Sequence, residues 1–450
     1  MKRYEEYKPS LTKWTSSIPQ HWKQVRGKSV FYNQKQINTD NTCENVLSLT
    51  LKGVIQNNKE KPIGLSPKDY CTYQIFEPND LVFKLIDLEN ISTSRVGLVP
   101  ERGIMSSAYI RLCQRGNENI RYMYYQYFDL YLRNIFNGLG AGVRSTLTAS
   151  DLLDLPIMIP SRVEQDQIVR YLDWQVSKIN RLIAAKKQEI ALFEESKVNH
   201  IAKAVLHGIR YHEHCIETIE FGSIPAHWQI IQNKRLFCER VEHTETGTET
   251  LLSVSKHYGV KPSAELTEDE QFATIKPALS LVGYKVVRKN DLVMNIMRAR
   301  NGSYGISAYD GIVSPAYCIY YTTKKCNVKY LHYFLRTPHV KSLFEAYSSG
   351  IAEHRRRLYP EDFLRLKSVL PPIEEQDEIV EHIEQAIVKY DAGIANLRQQ
   401  IACLQDMKTR LISDVVTGQV DVRDIEVPEY EVVEDTDTRE EDTEGEEYEE

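Results

Sequence analysis

The 450-residue chain contains no apolar run near the roughly 18 residues that a membrane-crossing helix needs, and its mean hydropathy is -0.43. A chain of soluble type is expected. It also lacks any Cys-x-x-Cys pair. Its eight cysteines, at 43, 71, 113, 215, 238, 318, 326 and 403, are scattered as reduced, mostly core thiols would be. The opening Met1-Lys2-Arg3-Tyr4-Glu5-Glu6 puts charge where a signal peptide needs its apolar segment, so a cytoplasmic location is expected. Catalytic signatures are missing as well. There is no Gly-x-x-x-x-Gly-Lys-Ser/Thr loop, no Asn/Asp-Pro-Pro-Tyr motif and no glycine-rich cofactor loop, which argues against a nucleotide-driven motor and an adenine-modifying enzyme. His212-Glu213-His214-Cys215 has metal-capable side chains but no spaced second ligand set, and reads as incidental.

What is present is an uneven charge. The net value of -7 hides a carboxy-terminal stretch, 426–450, in which 14 acidic residues face Arg439 alone. The stretch therefore carries -13 and residues 1–425 carry +6. Few apolar residues and many like charges cannot offset ordering entropy, so 426–450 is expected to be disordered. A mildly basic body fits a polyanionic partner.

An internal repeat organises the chain. Ser17-Ile18-Pro19-Gln20-His21-Trp22 returns as Ser223-Ile224-Pro225-Ala226-His227-Trp228, and Asn79-Asp80-Leu81-Val82 as Asn290-Asp291-Leu292-Val293. Gly103 to Tyr109 answers Gly311 to Tyr317, and Glu164-Gln165-Asp166 answers Glu375-Gln376-Asp377. The offset drifts from 206 to 211, as a tandem duplication with a constant framework and variable inserts would produce.

Each half reads as short strands followed by one long helix. Val46 to Leu49, Leu81 to Phe83 and Ala108 to Leu112 are strand-like runs bounded by Gly, Pro and Asn, with a helical piece from Arg121 to Phe136. After Pro160 a stretch from about Val163 to Leu206 has neither Pro nor Gly. Its 4-3 repeat runs Val169, Leu172, Val176, Ile179, Ile183, Lys186, Ile190, Phe193, Lys197. The same register in the second half gives Val380, Ile383, Ile387, Tyr390, Ile394, Leu397, Ile401, Leu404, Lys408. Two such matched seams predict that the helices cover each other as an antiparallel coiled coil, about 44 residues or roughly 66 Å long. The other reading is two helices, each packed only on its own domain.

The order Ile-Pro-x-His-Trp, variable region, Pro-punctuated Glu-Gln-Asp entry, long helix and closing Val416-Thr417-Gly418-Gln419-Val420-Asp421-Val422-Arg423 resembles the specificity subunit of type I restriction-modification systems. The likeness covers about residues 11 to 425. It implies an α/β (α+β) chain. Residues 1–160 and 223–371 would be target-recognition domains, 161–208 and 372–425 the spacer helices with their closing segment, 209–222 a linker, and 426–450 an added tail. It further implies a non-catalytic subunit that reads a bipartite, asymmetric double-stranded DNA sequence. Its partners would be two methyltransferase subunits and the restriction/translocase subunits, with S-adenosylmethionine, ATP and Mg held by those partners and none by this chain. No membrane partner is implied.

Base recognition needs forked donors at strand tips, and phosphate positioning needs dispersed basic and hydroxyl side chains. The stretch Asn295 to Gly305 supplies Asn295, Arg298, Arg300 and Asn301 after a predicted strand; the equivalent stretch of the first half supplies Lys84, Ser94 and Arg95. Arg144 and Arg355 coincide at an offset of 211, and with Arg356 they suit a phosphate clamp. Each could equally be an ordinary solvated loop residue or an ion-pair partner. Trp22 and Trp228 read as packing anchors rather than base-stacking platforms. Two other classes of function stay open on the residues alone: a nuclease or methyltransferase hidden in the variable regions, and a coiled-coil scaffold that binds only proteins.

Overall fold

The computed structural model describes residues 2–58, 69–86, 88, 94–140, 146–210, 213–256, 258–266, 280–350 and 356–433. Its described helices are α1 (Ile120–Leu132), α2 (Ile135–Leu139), α3 (Ala149–Asp154), α4 (Arg162–His207), α5 (Val328–Leu335), α6 (Pro338–Ala346), α7 (Pro360–Arg365) and α8 (Ile373–Val416). No described helix is long and apolar enough to cross a membrane. The chain divides into two compact units, Met1–Glu189 with Leu397–Glu450, and Ile190–Asn396.

Both units have one topology. In the first, an antiparallel sheet runs in the order Phe31–Asn33, Ile110–Gln114, Leu81–Phe83, Val96–Leu98; in the second, Phe237–Glu239, Tyr317–Thr322, Leu292–Asn295, Tyr304–Ile306. A hairpin flanks each sheet, Leu47–Thr50 with Gly53–Gln56 and Leu252–Ser255 with Gly259–Pro262. The repeated Asn-Asp pair explains itself here. Asn79 and Asn290 sit at φ 70° and 74°, a left-handed conformation that asparagine tolerates. The next residue closes the turn: Asp80 Oδ2 accepts from Glu77 N–H at 2.7 Å and Arg111 Nε at 2.6 Å, and Asp291 Oδ2 from Arg288 N–H at 2.8 Å and Arg240 Nε at 2.7 Å.

The helix expected from Arg121 to Phe136 is interrupted. Arg133 caps α1 and bonds back to Asp129 and to Trp14 O, and Asn134 at φ 54° turns the chain before α2. The cysteines also depart from expectation. Cys43, Cys113 and Cys318 are buried, and burial pushes the Cys113 thiol up to about 11, but Cys215, Cys238 and Cys403 are exposed.

The long helices account for the way the units divide. The dividing points fall inside α4 and α8, so each unit is built from both repeats rather than from one. In the first unit Val415 and Val416 of α8 share a core with Ile18 and Trp22; in the second, Val205 and Leu206 of α4 share one with Ile224 and Trp228. Gly418, at φ 71°, lies so close to Pro19 and Trp22 that a Cβ would collide with the proline ring. Tyr7 OH donates to Gly418 O at 3.0 Å, and Gln419 Nε2 to Ser17 O at 2.9 Å. Within each unit the two helices run antiparallel. Contacts of the second unit pair Lys197 with Asp391 at 2.6 Å and His200 Nε2 with His382 Nε2 at 2.9 Å, and Phe193 occupies the space that a side chain at Gly393 would fill. In the first, Lys408 Nζ donates to Asn180 Oδ1 at 3.2 Å, so a lysine on the seam is satisfied by a polar partner. The other predicted seam residues follow the pattern: Val169, Leu172, Ile179, Ile183, Val380, Ile383, Ile394 and Leu397 are buried, and Val176, Ile190, Phe193, Ile387, Ile401 and Leu404 half-buried.

The repeated Glu-Gln-Asp fastens each domain to its helix start. Glu164 is buried and accepts from Tyr4 OH at 2.7 Å and Trp22 Nε1 at 2.9 Å, with His21 Nε2 at 3.0 Å. Burial and the bond to Glu164 drive the Tyr4 phenol far above its ordinary pKa. Gln165 Oε1 accepts from Asn119 N–H at 2.7 Å while its amide donates to Pro160 O, and Asp166 holds Asn119 Nδ2 at 2.7 Å. Asn119 in turn caps α1. The second unit repeats this: His227 on Glu375 at 2.9 Å, Gln376 on Asn327 N–H and Pro371 O, Asp377 on Asn327 Nδ2, and Asn327 capping α5.

The tail expected to be disordered from 426 is ordered at its start. Gln167 Nε2 donates to Val422 O and Ile425 O, Val427 packs against the first core, and Val433 is held twice, its N–H by Ser177 Oγ and its carbonyl by Asn180 Nδ2. Glu431 pairs with Arg181. Composition pointed to disorder because it averaged these residues with the acidic run after them. Residues 434–450 lie outside the described residues.

Two stability outcomes are expected. Glu164→Ala strands two buried donors and should cost about 3 kcal/mol in urea unfolding, whereas Glu375→Ala, whose carboxylate is 16% exposed against 4%, should cost less. Equal or negligible losses would contradict the clasp. Truncation after Val433 should leave the melting temperature unchanged, while truncation after Ile425 should lose about 1–2 kcal/mol.

Candidate nucleic-acid interface

The second unit builds its candidate loop from the end of the strand Leu292–Asn295. Asn295 N–H donates to Ser303 O at 3.0 Å, Arg298 N–H to Asn295 O at 3.1 Å, and Met297 N–H to Asn295 Oδ1 at 3.1 Å. Asn295 is thus 7% exposed and braces the loop, with its Oδ1 taken by Met297 N–H. A single 3-10 turn, Ala299–Asn301, buries Ala299 as a plug and ends on Gly302 at φ 92°. That geometry leaves Arg298 and Arg300 half-exposed and Asn301 exposed. The loop thus presents two guanidinium forks and one amide, the donor types that read guanine and adenine edges. Tyr317 stands beside it. Burial raises the phenol's pKa, and the Arg298 charge and a bond to Asn295 oppose that rise.

In the first unit the equivalent strand Leu81–Phe83 leads to half-exposed Lys84, whose N–H bonds Arg95 O at 3.1 Å. Ser94 and Arg95 are only 2% and 3% exposed. Ser94 Oγ donates to Val96 O at 2.7 Å, so these two residues support the sheet edge from inside. Residues 87 and 89–93 lie outside the described residues, as do Arg144 and Arg355. Arg356 is half-buried, with Nε donating to Ser348 O at 3.2 Å.

Sequence reasoning missed the hairpin beside the second loop. Lys256 is exposed at its tip, and Lys261 Nζ lies 4.5 Å above the Tyr258 ring, whose hydroxyl meets Ser253 Oγ at 2.9 Å. Gly259 at the turn, flanked by alternating Val254 and Val260, was the available signal. Among the described residues no group of three or more His, Cys, Asp or Glu could hold a metal ion, and His212 lies outside them. Trp22 is fully buried and Trp228 4% exposed, as packing anchors are.

Comparison with known proteins bears on what such a surface serves. Residues 19–192 match the family described as "Type I restriction modification DNA specificity domain". No curated protein sequence matches the chain. Among solved structures, a chain from work on complex assembly and conformational transition of the type I R-M system superposes with a TM-score of 0.59 at 13% identity, covering 90% of this chain and 99% of that one. The HsdS subunit from Thermoanaerobacter tengcongensis gives 0.43 at 14% identity over 90% and 98% of the two chains. The S subunit of the type I system from M. genitalium gives 0.32 at 11% identity, over 90% and 97%. The first of these shares its fold over most of this chain, and residues 19–192 resemble the type I restriction modification DNA specificity domain.

Proposed function

We propose that this chain is the non-catalytic reader of a bipartite, asymmetric double-stranded DNA target, one half-site per unit, and that α4 and α8 dock two methyltransferase subunits and the restriction subunits. S-adenosylmethionine, ATP and Mg then belong to those partners. One observation carries the reading: two units of the same sheet topology send unlike loops from equivalent strands, Lys84 onward after Leu81–Phe83 and Arg298, Arg300 and Asn301 after Leu292–Asn295. A constant frame with unlike tips suits a target whose halves differ. The buried clasp and the capped helices hold the frame, so the tips can vary without cost to the core.

Arg298→Ala, Arg300→Ala and Asn301→Ala, each in the full chain with its methyltransferase partner, should cost roughly 1–3 kcal/mol at the second half-site wherever the removed group makes a bidentate base contact. The first half-site should be read as before. Mapping of methylated adenines checks this, and an unchanged site preference in all three variants would remove the loop from the reading surface.

A further inference from the structure

The loop that follows Leu292–Asn295 is held from beneath by a residue outside it. Arg336 closes α5 and points its guanidinium at backbone of two different segments. Nη1 donates to Tyr304 O at 2.6 Å and reaches Gly302 O at 3.4 Å; Nη2 donates to Lys256 O at 2.6 Å. The first two carbonyls end the candidate loop, and the third is at the hairpin tip. These segments meet backbone to backbone, since a Cβ on Gly305 would stand 3.1 Å from Gly259 Cα. One turn earlier on α5, His332 Nδ1 accepts from Ile306 N–H at 3.4 Å. Burial, then the Arg336 charge, pushes this imidazole down to about 4, which keeps it a neutral acceptor at ordinary pH.

Two features separate this arrangement from ordinary framework packing. Among the described residues no carboxylate pairs with Arg336, although burial depresses its own pKa. A half-buried guanidinium is usually matched by an acid. Here three carbonyls accept from its Nη groups, and among the described residues no acid cancels the positive charge at the base of two exposed loops, which favours a polyanion in front of them. Second, the pair is absent from the other repeat. Counted from the equivalent caps Asn119 and Asn327, the positions of His332 and Arg336 are held in α1 by Tyr124 and Phe128, stacked at 5.2 Å. A helix that both units share therefore carries different loop supports in each.

We propose that Arg336, with His332 behind it, is a specificity-determining positioning residue of the second reader: it fixes the register of the loop 295–303 against the hairpin tip at Lys256, so that both meet one stretch of duplex DNA. This rests on the reading of the preceding section. The lysine that conservative replacement would supply offers donors from one point, whereas the planar fork spans both segments.

The test is the full chain carrying Arg336→Met or Arg336→Lys, combined with its methyltransferase partner. Adenine methylation is mapped on a library randomised at both half-sites, and the melting temperature is measured alongside. Arg336→Met should lower discrimination against single-base changes at the second half-site roughly tenfold and leave the first half-site unchanged. Arg336→Lys should fold like the parent and still lose part of that discrimination. Unchanged discrimination in Arg336→Lys and Arg336→Met, or an equal loss at both half-sites in step with a lowered melting temperature, would overturn the positioning role. A parent complex without any site preference would instead overturn the DNA-reading assignment, and this inference with it.

Discussion

A carboxylate taken out of water at the start of a long helix is the constraint on which the first unit depends. Glu164 is 4% exposed at the side chain, a location that is costly for a charge unless donors surround it. Tyr4, His21 and Trp22 supply those donors, and the amino-terminal end of α4 adds its favourable dipole. Removing any one of them takes a partner from the buried carboxylate, so it ties together the segments that bring them: the first residues, the Ile-Pro-x-His-Trp stretch and the helix entry. Gln165 and Asp166 extend the same lock to Asn119 and so to the start of α1. In the second unit His227, Glu375, Gln376, Asp377 and Asn327 repeat it.

The closing segment of one repeat completes the unit that contains the start of the other. Gly418 and Gln419 fit against Ser17, Pro19 and Trp22, and His207 Nδ1 meets Ser223 O at 2.8 Å at the matching place of the second unit. The exchange of helix ends makes each core a product of both repeats. It also gives the acidic tail a beginning with structure: Asp421, its pKa held down by Arg423, and the Arg423 guanidinium 4.9 Å above the Tyr4 ring, lead into the stretch that Gln167, Ser177 and Asn180 bind.

What could be read from the residues alone was the framework, because repeats and periods report constraints that act locally or recur. The heptad seam, the Asn-Asp turns and the Glu-Gln-Asp clasp were visible as patterns, though the partners of Glu164 were not. The candidate site was legible only in outline. Arg298, Arg300 and Asn301 reach the surface, but Asn295, Ser94 and Arg95 are buried braces, since whether a polar side chain faces in or out of a strand end is decided by packing that spacing does not encode. Arg336 stands in none of the repeated motifs. Its importance comes from three carbonyls in segments 32 to 80 residues away, brought under one helix end by the fold.

The account rests on unlike readers carried by one frame. Sequencing of methylated adenines in random DNA exposed to the full chain with its methyltransferase partner tests that most directly. Two short, different sequences separated by a fixed number of unspecified bases are the predicted result; a single continuous site, a palindrome of identical halves or modification without sequence preference would contradict it.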